Sequence, residues 1–119
     1  MQPRPKRQRR LKAKVPGLFH LEAHNRIELT GTLTAIDAVR YTPAGIPIVE
    51  LKLAHQSAQT EAGRKREVVI EVMALAAGEA ANKLAKSPLG AQLRLTGFLA
   101  HKGKGRVQLV LHINDFEFI

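Results

Sequence analysis

The sequence predicts an all-β fold: a closed barrel of five short strands with one short helix between strands 3 and 4. Three observations predict it. Five segments alternate apolar and polar residues, the period of a half-buried strand. One alanine-rich segment between the third and fourth breaks that period. Glycines stand in the middle of two strands, Gly31 and Gly97, where a small barrel needs a sharp bend or a close backbone approach. Strand, strand, strand, helix, strand, strand is the element order of the OB-fold, a small Greek-key barrel.

In the first strand Ile27, Leu29, Gly31, Leu33 and Ala35 alternate with Glu28, Thr30, Thr32 and Thr34. The next segment, "RYTPAGIPIVELKLAHQS", opens with a turn. Pro43 and Pro47 fix φ and cannot donate a ladder hydrogen bond, so they interrupt the sheet, while Gly45 supplies the positive φ of a reversal. A second strand follows from Ile48 to about Ser57, with Val49, Leu51 and Leu53 on one side and Glu50 and Lys52 on the other. The third runs from about Arg66 to Met73, with Val68, Ile70 and Val72 sharing a face. Residues 75–90, "LAAGEAANKLAKSPLG", have helix-forming composition and end at Ser87, Pro88 and Gly90. Leu93, Leu95, Gly97 and Leu99 define the fourth strand, and Val107, Leu109, Leu111 and Ile113 the fifth. The phase slips near Asn114-Asp115, which predicts a bulge or a change of partner.

Charge divides the chain. Its 119 residues carry 19 Lys and Arg against 10 Asp and Glu, a formal charge of +9. Residues 1–24 hold seven of those bases and one acid, a net +6, with Pro3, Pro5, Pro16 and Gly17 among few apolar anchors. They are expected to form a disordered or loosely attached basic arm. Residues 25–119 form the single domain and carry the remaining +3. Such an excess of cations points to a polyanion, nucleic acid before an acidic membrane surface. Cysteine is absent, which removes disulfides and thiolate chemistry and fits a reducing compartment. No apolar run approaches the ~20 residues of a membrane span, and no apolar segment follows the basic start as a secretory signal requires.

Catalysis finds no foothold in the sequence. "HLEAH" spaces His20 and His24 four apart, but the order is not HExxH and no third ligand follows. His55 and His112 fall in strands, where structural hydrogen bonds are expected. "GKGR" is too short for a phosphate-binding GxxxxGK[ST] loop. The expectation is a non-enzyme without cofactor or metal.

"RIELTGTL", "TPAGIPIVELKLAHQSAQTEAG" and "LTGFLAHKGKGRVQLVLHI" together resemble the primosomal replication protein N (PriB) family, a relative of bacterial single-stranded DNA-binding proteins. The likeness runs from about Asn25 to the C-terminus. It implies a non-enzymatic OB-fold homodimer that binds single-stranded DNA in replication restart. Its implied partners are the PriA helicase and other primosome or loading proteins, in the bacterial cytoplasm at the nucleoid and away from membranes. The basic arm lies outside the family pattern.

An OB barrel binds strands across its second and third strands, flanked by the loops between strands 1 and 2 and between strands 4 and 5. In the second of those loops, "HKGKGR", Lys102, Lys104 and Arg106 supply charge, and Gly103 and Gly105 let the backbone follow a phosphate chain. Arg64, Lys65 and Arg66 are assigned to the loop between strands 2 and 3, at the edge of the face. Arg40 and Tyr41 belong to the proline-glycine loop, a stiffened arm at the rim. The chain has five aromatic residues, Phe19, Tyr41, Phe98, Phe116 and Phe118. Family members can carry aromatics around strand 3, where this sequence has Arg64 and Val69, so base stacking should be weaker and affinity more electrostatic. Phe98 is read as dimer contact or core. A general single-stranded DNA-binding protein is the chief rival, but the sequence ends at "NDFEFI" without a Gly-rich linker or acidic tip. An RNA-binding OB module would want an exposed aromatic cluster, and a pure protein adaptor would use the arm alone as a tether.

Overall fold

The computed structural model describes residues 23–119. The arm expected over residues 1–24, with His20 and Phe19, therefore lies outside the described residues except for Ala23 and His24, which are exposed. Asn25 stands two residues before the first strand, which begins at Ile27. Its side-chain amide donates to the Leu99 carbonyl (2.8 Å) and accepts from the Leu99 N–H (2.9 Å), imitating one more rung of the ladder.

Five long strands close the barrel. They are β1 (Ile27–Ile36), β3 (Pro47–Glu61), β4 (Arg64–Ala77), β5 (Gln92–His101) and β6 (Leu109–Phe118), with a two-residue β2 (Arg40–Tyr41) at the rim and one helix, α1 (Glu79–Leu84). Strand β1 pairs with β5 over Ile27 to Thr32, then bends and pairs with β3 from Thr32 to Ile36. The circuit continues β3–β4, β4–β6 and β6–β5, with β4 and β6 parallel. This is the predicted OB barrel.

Both mid-strand glycines sit where backbones nearly touch. A Cβ on Gly31 would lie 3.1 Å from the Ala54 carbonyl oxygen, at the bend that lets β1 serve two partners. A Cβ on Gly97 would lie 1.9 Å from the His112 carbonyl oxygen. Gly97 also marks the predicted phase slip: Thr96 faces Asp115 and Gly97 faces Ile113, so Asn114 is the extra residue of a bulge and β5 remains the partner.

The core is aliphatic: Leu33, Val49, Leu51, Leu53, Ala74, Ala76, Leu93, Leu95, Leu111 and Ile113 fill the barrel. Ala81 and Leu84 of α1 complete it, the helix lying against β3, β4 and β6.

Three sequence expectations need correction. The helix occupies 79–84 rather than 75–90, because Leu75, Ala76 and Ala77 stay in β4, paired with β3, and β6 joins on the other side as far as Ala76. Ladder partners on both sides outweigh alanine's helix preference, and Gly78 (φ 74°) turns the chain only afterwards. Val107 lies outside β6 and is 88% exposed, and Leu109 is exposed although in phase with Leu111, because the hairpin projects past the barrel rim. Finally, 58–65 form no long loop. The β3–β4 ladder runs unbroken to Glu61↔Arg64, closed by the two-residue turn Ala62 (φ 52°) and Gly63 (φ 75°). Positive φ at both positions matches the twist of a two-residue hairpin.

Candidate nucleic-acid interface

The β3–β4 register decides where the basic residues point. Leu51, Leu53 and Ala74 face the core, and Val72 packs against it. Alternation then puts His55, Ser57, Gln59, Glu61, Arg64, Arg66, Val68 and Ile70 on that side. Glu50, Lys52, Ala54, Gln56, Thr60, Lys65, Glu67, Val69 and Glu71 take the outer side. The three consecutive bases at 64–66 therefore belong to strand β4, not to a loop, and they do not act as one cluster. Lys65 points to the outer side, Arg64 and Arg66 point to the opposite side, and Arg66 pairs with Glu61 at 2.6 Å.

The middle of the outer face carries one cation, Lys52, against two anions, Glu67 and Glu71. Lys52 pairs with Glu71 at 4.0 Å, and the Gln56 amide donates to Glu67 at 3.3 Å. Cations gather at the rim instead. Arg40 comes from β2, which pairs Arg40 with Ile48 and Tyr41 with Pro47. The turn behind it is held by Thr42 N–H to the Ile46 carbonyl (2.9 Å), Gly45 N–H to the Thr42 carbonyl (2.8 Å) and Ile46 N–H to Thr42 Oγ1 (3.1 Å). Proline, glycine and threonine thus make the stiff loop that the sequence promised. Pro47 is admitted as the first residue of β3, a position that needs no ladder donor.

Lys102 leaves the end of β5 and meets Arg40 at one carboxylate. Glu50 Oε1 lies 2.7 Å from Lys102 Nζ, and Oε2 lies 3.1 Å from an Arg40 guanidinium nitrogen. The carboxylate is 13% exposed, so this pairing is shielded more than a surface ion pair. Glu50 joins the two loops that frame the face. In the sequence Glu50 reads only as a polar-phase residue of a half-buried strand. No sequence signal marks it, because Arg40 and Lys102 meet at Glu50 only in the closed barrel.

Lys104 and Arg106 sit in the exposed tip, where Arg106 N–H donates to the Gly103 carbonyl at 3.1 Å and Gly105 has φ 77°. Neither forms an ion pair among the described residues. Tyr41 is 67% exposed at the rim, and Val69 is 71% exposed on the strand face where a stacking platform would stand. Phe98 is half-buried against His112, rings 5.1 Å apart and 16° from parallel, so it packs within the fold. His112 Nε2 is buried without a hydrogen-bond partner among the described residues, so the expected structural bond is not made at that atom and stacking holds the ring. His55 behaves as expected: Nδ1–H donates to the Thr30 carbonyl (2.7 Å), which leaves Nε2 to accept from the Ser57 hydroxyl (2.8 Å).

Among the described residues no group of three His, Asp or Glu stands close enough to hold a metal ion, and no helix is long and apolar enough to cross a membrane.

Known proteins share this architecture. A family model described as "another single-strand binding protein family" matches residues 25–115. The Replication restart protein PriB of Nitrosomonas europaea is 42% identical over 95 residues, covering 80% of this chain and 88% of that protein. A solved PriB structure from Ralstonia solanacearum superposes with a TM-score of 0.75 at 41% identity, covering 81% of this chain and 98% of that one. The single-stranded DNA binding protein of Thermus aquaticus superposes with a TM-score of 0.66 at 28% identity, covering 81% of this chain and 50% of that one. On barrel, rim and sequence together, the chain belongs to the replication restart PriB family of single-strand binding proteins.

Proposed function

We propose that this protein binds single-stranded DNA across the outer face of β3 and β4 and bridges it to the PriA helicase during replication restart, without catalysing a reaction. The observation that carries the reading is the meeting of Arg40 and Lys102 above that face, with Lys104 and Arg106 exposed in the adjoining tip and Lys65 on the same side of β4. A phosphate chain lying along the face would find its cations at the rim, above a floor where Lys52 stands against Glu67 and Glu71. Tyr41 is available to stack on a base from the edge. Arg64 and Arg66 contribute only to a strand that wraps around the hairpin. The basic segment at residues 1–24 adds charge that the barrel itself lacks. Contacts to about four phosphates per site give a log K against log salt slope near −3.

Fluorescence anisotropy with labelled oligothymidine and a duplex of equal length, over a salt series, tests this directly. Tighter binding of the single strand with a slope near −3 is expected; equal affinity for both forms removes the single-strand preference. Retention of the chain by immobilised PriA, alone and with oligothymidine present, tests the bridge.

Self-association fits the same proposal. The Ile27–Gly31 stretch of β1 pairs only with β5 among the described residues, leaving its other edge open. Beside it lies a groove of about 300 Å³ lined by Gly31, His55, Ile70 and Ile119. A second copy would cover both, giving the homodimer.

Val69 offers a gain-of-function test of the DNA path. Val69→Trp places an indole on the exposed strand face, where one base stack is worth about 1–3 kcal/mol. Affinity for oligothymidine should rise at least about five-fold, with quenching of the new tryptophan on binding. Unchanged affinity would show that the strand does not cross β4 at this point.

A further inference from the structure

We propose that Glu50 is a positioning residue for the binding rim: an internal anion that holds one cation from each framing loop where a backbone phosphate would otherwise hold them. The inference rests on the nucleic-acid reading above. Each carboxylate oxygen takes a different partner, Oε1 the Lys102 ammonium at 2.7 Å and Oε2 the Arg40 guanidinium at 3.1 Å. Two oxygens of one anion engaging two cations is also how a phosphate would bridge these residues. Glu50 itself is fixed by the sheet, opposite Leu75 of β4. Its carbonyl accepts from the Asp37 N–H at 2.9 Å, tying down the chain that leads into β2. The carboxylate is 13% exposed and the Lys102 side chain 33%, against 57% for Arg40, so Lys102 is the more tightly held of the two.

Two consequences oppose each other. The clamp orders two long, flexible side chains and two loops before DNA arrives, which lowers the ordering cost of binding. It also cancels one of the two positive charges, so Arg40 and Lys102 together count as about one cation toward an incoming strand. Ordering does not depend on salt, whereas charge does. Their difference is therefore legible in the salt dependence and not in a single affinity.

Glu50→Gln keeps the shape and removes the charge. The log K against log salt slope for oligothymidine should steepen by about 0.7, one phosphate contact on a single strand. The affinity ratio of variant to wild type then changes roughly five-fold across a ten-fold change in salt. Glu50→Asp, which keeps the charge, should restore the wild-type slope. In a background with Lys102→Gln and Arg40→Gln, the same Glu50→Gln change releases no cation and should steepen the slope by clearly less than about 0.7, only relieving the bare carboxylate's repulsion. A general loss of folding would lower affinity in every background without this pattern.

The unaltered protein gives a second measurement. In ¹⁵N spectra the Lys102 ammonium protons should exchange with water more slowly than those of Lys104. Equal exchange for the two lysines, or an unchanged slope in folded Glu50→Gln, overturns the proposal. Either result leaves the single-strand reading intact, because that reading fails only if the wild-type protein shows no preference for the single strand.

Discussion

Gly97→Ala is expected to destabilise the barrel by at least ~3 kcal/mol, lowering the melting temperature by upwards of ~12 °C in a domain of this size. The added methyl would stand 1.9 Å from the His112 carbonyl oxygen, 2.8 Å from its carbonyl carbon and 3.1 Å from Ile113 Cα. All three are backbone atoms, so no side-chain rotation relieves the clash. Relief requires β5 and β6 to separate at the Asn114 bulge, where Leu95, Leu111 and Ile113 bring the core against the sheet. Gly31→Ala makes the graded comparison. Its nearest neighbours would be the Ala54 carbonyl oxygen at 3.1 Å and Leu53 Cβ at 3.2 Å, so a shift of a few tenths of an ångström suffices and a cost of about 1 kcal/mol is expected. Gly103→Ala, with open space around it, should fall within about 0.5 kcal/mol of wild type. Urea denaturation of the three variants checks the order, and a folded Gly97→Ala of wild-type stability would mean that β5 and β6 are not packed this closely.

These glycines also show what the sequence could disclose. Close backbone approach at positions 31 and 97 was readable because glycine in a half-buried strand has few other reasons to be there. Likewise, the slip at Asn114 was readable because a one-residue insertion reverses the apolar phase of everything after it. The Leu75–Ala77 segment was not readable. Whether alanines lie in a helix or a strand depends on the strands available beside them, and β3 and β6 are distant in sequence. The same limit hid the length of the β3–β4 hairpin, since "AQTEAGRK" has neither β-branched runs nor an Asn-Gly turn and reads as loop. That error carried into the site. Arg64, Lys65 and Arg66 look like one basic cluster only if the chain there is irregular; in a strand, alternation sends them to opposite sides. Composition revealed the cations of the rim but not the carboxylate that gathers two of them, because Glu50 meets Arg40 and Lys102 only once the barrel has closed.

The electrostatic share of binding should divide unequally between the rim and the N-terminal segment. Lys104 and Arg106 are exposed and unpaired among the described residues, so each can neutralise a phosphate fully. Replacing both with alanine should flatten the salt slope by about 1.4, at roughly 0.7 per contact on a single strand. Lys102→Ala with Lys104→Ala should flatten it about as much, because removing Lys102 leaves Glu50 to cancel Arg40, so the one net cation of that pair is lost together with Lys104. Deleting residues 1–22 removes seven bases and one acid. If every net charge there meets a phosphate, the slope falls by about 4, far more than either loop variant produces. Anisotropy titrations of the three variants over the same salt series separate these contributions. A truncated chain that still prefers oligothymidine to duplex, with a shallower slope, places recognition on the barrel and general attraction in the segment before it. Loss of all binding on truncation would instead make the barrel a protein-binding adaptor and the basic segment its only hold on DNA.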